Sequence, residues 1–83
     1  MSYLLHPPRP IAVRTDAEGA PVHLHGHPLV GPVRPLRRWI ADLDWWERPV
    51  AREYWQVMLR GRLLCEIYRD LELNAWFLER IYD

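Results

Sequence analysis

Gly61 stands between two apolar runs, and the number of residues that turn around it decides which side chains can share a core. Side chains alternate between the faces of a strand, so a slip of one residue moves a whole set to the other face. A two-residue loop would put Trp55 and Val57 beside Leu64, Glu66 and Tyr68. A three-residue loop, Leu59-Arg60-Gly61, places Gly61 in the left-handed third position of a type I turn plus bulge. Trp55, Val57, Leu63, Cys65 and Ile67 then share one wholly apolar face. The other face carries Gln56, Arg62 and Glu66 among Tyr54, Met58, Leu64 and Tyr68. The register that segregates polarity is preferred, and it predicts a bulged hairpin with Trp55, Val57, Cys65 and Ile67 buried.

Proline organises the upstream half. Residues 1–10 hold three of the eight prolines and read as an extended N-terminal arm, ahead of one small domain over 11–83. Ile11–Arg14 and Pro21–Leu24 alternate around Thr15–Gly19, which predicts a first hairpin with a loop of about five residues. Between His27 and Pro35, the spacing of Pro28, Gly31, Pro32 and Pro35 excludes a helix but admits an edge strand or an irregular segment. Residues 36–44 stay open between strand and one short helix. Leu36, Trp39, Ile40 and Leu43 fit the helical template in full, and Pro35 suits a first turn. Trp76–Tyr82 reads as a final strand, apolar on both faces, with Trp76, Leu78 and Tyr82 on one and Phe77 and Ile81 on the other. The C-terminal half is rich in Leu, Arg, Glu and Ala, all helix formers, so propensity alone does not set the class.

The chemistry is sparse. Eleven basic residues, all Arg, balance eleven acids, which excludes a general polybasic nucleic-acid binder. No apolar run approaches the ~20 residues that span a bilayer, and residues 1–10 have neither a basic n-region nor a long apolar run. A cytoplasmic protein without a membrane segment is expected. The single Cys65 excludes an internal disulfide, and on an apolar face its thiol is inert. His23, His25 and His27 alternate on a strand, and Asp16 or Glu18 could join them across the first hairpin. His23 and His25 are thus the weak metal candidates, against an expectation of no metal and no cofactor. No Gly-rich phosphate loop or nucleophile elbow occurs, and the Asp42–Asp44 pair has no acid or base beside it. No enzymatic activity is expected.

Two surfaces suggest binding. Arg34, Arg37 and Arg38 beside Trp39 form the one basic-aromatic cluster, able to contact phosphates and stack a base. Asp42, Asp44 and Glu47 blunt its field. The doubly apolar final strand makes Trp76, Leu78 and Tyr82 candidate contacts for a protein partner or a second copy. Arg69–Asp70 and Arg80–Asp83 read as ion pairs that fix strand ends.

The second half also carries a recognisable run: Trp45-Trp46, Arg52-Glu53-Tyr54-Trp55-Gln56-Val57, Ile67-Tyr68-Arg69-Asp70, Trp76-Phe77-Leu78 and Arg80-Ile81-Tyr82-Asp83. It resembles a small bacterial domain family similar to the C-terminal domain of some ImuB-like proteins, inactive relatives of Y-family DNA polymerases that act in translesion synthesis. The resemblance implies an all-β fold, a five-stranded SH3-like or related small barrel. It also implies a non-enzymatic protein-interaction module linked to DNA damage tolerance. The alternative is a small barrel that binds single-stranded nucleic acid through Arg34, Arg37, Arg38 and exposed aromatic residues.

Overall fold

The computed structural model describes residues 2–45 and 48–82, with 42–45 and 48–50 as backbone only. The fold is all-β: β1 (Ser2–Thr15), β2 (Pro21–Gly26), β3 (Leu29–Trp45), β4 (Arg48–Leu59), β5 (Leu63–Asp70) and β6 (Ala75–Tyr82). Each strand pairs antiparallel with the next, and β6 returns to β1, so six strands close into a ring. Residues 2–10 are no loose arm: they extend β1 and carry the pairing with β6 that closes the ring. Ser2, Tyr3 and Leu4 pair with Tyr82, Ile81 and Arg80, and Arg9–Ile11 pair with Leu78–Trp76. The register shifts between Leu4 and Arg9, so Pro7 and Pro8 sit where the ladder is interrupted and needs no donor from them.

The helical alternative over 36–44 is not adopted. Residues 33–45 pair throughout with β4. A bulge between Pro35 and Arg37 breaks the period at Leu36 and leaves Leu36 and Ile40 exposed. A helix there would strand the backbone groups along one side of β4, a larger loss than the tenths of a kcal/mol that propensity offers per residue.

The Gly61 hairpin forms with the expected faces. Trp55 pairs with Ile67, Val57 with Cys65 and Leu59 with Leu63. The loop is Arg60-Gly61-Arg62, one residue later than expected, and any three-residue loop preserves the parity. Arg60 and Gly61 both take positive φ, 53° and 67°, and the Arg62 N–H donates to the Leu59 carbonyl at 3.0 Å. The turn therefore holds two left-handed residues instead of a type I turn ending on glycine. Trp55, Val57, Cys65 and Ile67 join Leu24, Val33, Leu59 and Leu78 in the buried core. In the first hairpin Thr15 pairs with Pro21, and the Asp16 Oδ1 accepts from the Glu18 and Ala20 N–H groups, each at 2.9 Å.

The final strand departs from simple alternation. Ile67 pairs with Leu78 but Glu66 with Arg80, so Glu79 forms a bulge that inverts the parity beyond it. Trp76, Leu78 and Ile81 face the core, while Phe77 and Tyr82 face the other way. Neither side of this strand presents an exposed apolar face, which removes the need for a partner there.

Closure of the ring is uneven. The short β2 pairs with residues 12–15 of β1 and 29–32 of β3 only. Beyond it, among the described residues, 2–4 and 9–11 of β1 and 33–45 of β3 are paired on one side alone. The last β4–β5 pair is Arg52–Asp70, and the β3–β4 hairpin continues past it as a two-stranded ribbon to Trp45–Arg48.

Burial sets a pH limit on this core. The Cys65 thiol has no exposed surface, and burial pushes it up to about 11 from 9.0. Burial raises the Tyr54 and Tyr68 hydroxyls as well. An acid that holds its proton longer when folded favours the fold below its unfolded pKa, and that contribution is lost as pH rises above it. The urea midpoint is therefore expected to fall between about pH 9 and 11. Cys65→Ala should flatten the early part of that decline, and an identical slope in the variant would contradict the assignment.

Candidate functional site

The pairing register lines up Trp39, Tyr54, Tyr68 and Phe77 in one row across β3 to β6, on the face away from the core. Trp39 stacks on Tyr54 with centroids 5.3 Å apart and planes within 4°. Tyr54 meets Tyr68, and Tyr68 meets Phe77, each at 5.2 Å. Both tyrosines are buried although they lie on the non-core face. Arg52 explains this: its guanidinium lies 4.5 Å over the Tyr68 ring, and its Nη1 donates to the Tyr54 hydroxyl at 3.3 Å. That hydroxyl donates to Glu79 Oε2 at 3.3 Å, and Glu79 lies 3.8 Å from Arg52. A polar lid thus closes the middle of the row.

The expected basic-aromatic cluster divides between faces, because Arg38 and Trp39 are neighbours on a strand. Arg34, Arg37 and Trp39 lie on the aromatic-row face, where Arg37 covers the Trp39 ring at 5.0 Å. Arg38 turns to the core side. Its Nε donates to Glu53 Oε2 at 2.9 Å and its Nη2 lies 2.8 Å from the same oxygen. Arg69 Nη2 lies 3.2 Å from Glu53 Oε1. Glu53 is only 6% exposed. Burial pushes its carboxyl up, but hydrogen bonding to Arg38, the nearby Trp55 indole and the charges of Arg69 and Arg38 outweigh that, holding it below the usual range. Arg38 and Arg69 also lie 5.8 Å over the Trp55 and Trp76 rings.

Other expected contacts are redistributed. The Arg69–Asp70 pair does not form, since adjacent strand residues face opposite sides. Asp70 Oδ1 instead accepts from the Glu72 and Leu73 N–H groups at 3.0 Å, closing the β5–β6 turn. Arg80 Nη1 donates to Ser2 Oγ at 3.4 Å; Asp83 lies outside the described residues. Trp76 packs against the core, Leu78 is buried within it, and the Tyr82 hydroxyl donates to Glu66 Oε2 at 2.8 Å. These three do not form one surface.

His23 and His25 lie with ring centroids 4.4 Å apart and planes tilted by 32°. Among the described residues, no group of three or more His, Cys, Asp or Glu is assembled to hold a metal ion. Burial lowers the His23 pKa, and the charges of His25, Arg14 and Arg60 lower it further, so another cation meets repulsion there. Asp16 spends its carboxylate on its own turn. The Asp42 and Asp44 side chains, with Trp46 and Glu47, lie outside the described residues.

What remains open is an edge. Residues 33–45 of β3 pair with β4 alone, and Arg34, Leu36, Arg37, Arg38 and Ile40 are exposed there. Leu36 and Ile40 are 46% and 47% exposed, among the largest apolar side chains left in contact with water. Among the described residues, no carboxylate lies within ion-pair reach of Arg34 or Arg37. The matching edge of β1 carries Pro7, Pro8 and Pro10, which have no N–H to offer, whereas 36–41 contains no proline. An unpaired edge is a template for another strand. A separate open groove of about 450 Å³ lies between the β2–β3 and β4–β5 turns, lined by Leu29, Val30, Leu59 and Leu63 and rimmed by Arg60 and Arg62.

No family model matches the chain, and no curated protein and no solved structure matches it either. Sequence reasoning passed over Glu53, Arg52 and the Tyr54–Tyr68 pair as site residues. The parity at Gly61 was the available signal, since it already sets Tyr54 and Tyr68 on one face; the loop one residue later brings them directly opposite.

Proposed function

We propose that this is a cytoplasmic, non-enzymatic protein-interaction module that docks its partner at the open edge of β3. The observation that carries this reading is the juxtaposition of an unpaired backbone edge with exposed Leu36 and Ile40 and with arginines. On this reading the ring is a small barrel of the SH3-like kind, closed through the extension of β1 over residues 2–10. The resemblance of residues 45–83 to the C-terminal domain of some ImuB-like proteins supports a role in DNA damage tolerance.

Single-stranded nucleic acid is the rival, favoured by the shared face of Arg34, Arg37 and Trp39. Against it, Tyr54 and Arg37 already lie against the Trp39 ring, so its use as a stacking platform requires displacing them. Photo-crosslinking from position 36 in cells separates the two, and the expected adduct is a protein. Purified domain should bind single-stranded or duplex DNA no more tightly than the non-specific norm of ~10⁻⁴–10⁻⁶ M near physiological salt. Sub-micromolar DNA binding, with a log–log salt slope of about −1.4 as two phosphate contacts on a single strand would give, overturns the protein reading.

A further inference from the structure

Building on the interaction reading, we propose that the partner adds a strand to β3, and that this strand is acidic on one face and apolar on the other. In an antiparallel ladder every second residue turns its N–H and C=O away from its partner strand. Along 33–45 those outward groups meet no third strand among the described residues. Between Leu36 and Ala41 no proline interrupts them, which separates this edge from that of β1.

The side chains define the occupant. An added strand alternates in step with β3, so each of its faces meets one set of β3 side chains. On the aromatic-row face it meets Arg34 and Arg37, which have no carboxylate in reach among the described residues. On the other face Arg38 is already engaged by Glu53, and exposed Ile40 offers apolar contact. Carboxylates on one side and β-branched or aliphatic side chains on the other complete this pattern. A second copy fits less well: antiparallel self-pairing centred on Leu36 sets Arg34 against Arg38, and like charges across a ladder are destabilising. The bulge at Leu36 and the arginines are the devices by which edges avoid their own kind. Toward an acidic strand the same charges become recognition.

The probe is an end-blocked ten-residue peptide of alternating Glu and Val, titrated into the whole domain and followed by calorimetry and amide exchange. Binding is expected to protect amides within 36–41 by about tenfold or more, roughly 1.4 kcal/mol. A Lys-for-Glu peptide and a peptide N-methylated at alternate residues should both fail. Arg34→Glu with Arg37→Glu, both at exposed positions, should weaken binding at least about tenfold. If that variant does not fold, the N-methylated peptide still decides the matter. Absent binding, equal binding of the Lys peptide, or binding without protection of β3 amides overturns strand addition. A protein adduct from position 36 that persists in any of those cases leaves the interaction reading standing; loss of both removes both.

Discussion

Replacing Trp55 with Ala is expected to leave the domain largely unfolded at room temperature. Trp55 pairs with Ile67 in the middle of β4 and is one of eight side chains in the buried cluster. Truncating a buried Trp costs about 3–5 kcal/mol, part of it for the cavity left behind. A small domain has a total stability near the low end of about 5–15 kcal/mol. The substitution also takes the ring from beneath Arg38. Trp55→Phe keeps much of the buried area and should remain folded with a lowered urea midpoint. Far-UV circular dichroism with urea titration checks both, and a Trp55→Ala protein with a midpoint near the parent's would show that the β4–β5 sheet does not depend on this contact.

Glu53→Gln should be the next most damaging single change, at about 2–4 kcal/mol. Removing one partner of a buried pair costs about 3–5 kcal/mol because the remaining charge stays desolvated, and the half-exposed Arg38 side chain, which can turn to water, reduces that. Arg69, more buried, cannot escape as easily. The effect depends on pH in a fixed direction. A carboxyl held below its unfolded pKa favours the fold above that value, near 4.5, and the contribution is lost as pH falls through the lower folded pKa. The gap between parent and Glu53→Gln midpoints should therefore be full near neutrality and narrow below about pH 4. A gap that is constant from neutral pH to about pH 3 would show that the ion cluster is not its source.

Much of the fold was legible where one local choice fixed a parity. Gly61 demanded a turn, a three-residue loop was the only length that separated polar from apolar side chains, and the buried quartet followed. The misplacement of that loop by one residue changed no face. The Leu36–Leu43 stripe misled because a helical template and a bulged strand can share the same apolar positions, and only the pairing partner, β4, distinguishes them. Glu79 was equally opaque: a bulge is set by how two strands meet, and it sent Ile81 inward and Tyr82 outward. The aromatic row could not be read at all from one strand, since it exists only when the registers of three hairpins agree. The Glu53 cluster was hidden for a related reason. Arg52-Glu53-Tyr54 looks like an exposed polar stretch until both faces of β4 are seen to be covered.

The return of β6 to β1 has a topological consequence. Every other pairing joins strands that are neighbours in sequence, whereas Arg80 reaches Ser2 across a separation of 78 residues. Closing so long a segment costs roughly 2–3 kcal/mol more chain entropy than closing a four-residue loop. The hairpins can assemble locally, and this seam is the natural last step. Because Ser2 lies opposite Tyr82, a short linker could join these two residues, and a break in the exposed 16–18 stretch would leave every strand beside its present neighbours. The architecture thus depends on a cyclic order of strands, and which strand comes first is incidental to it.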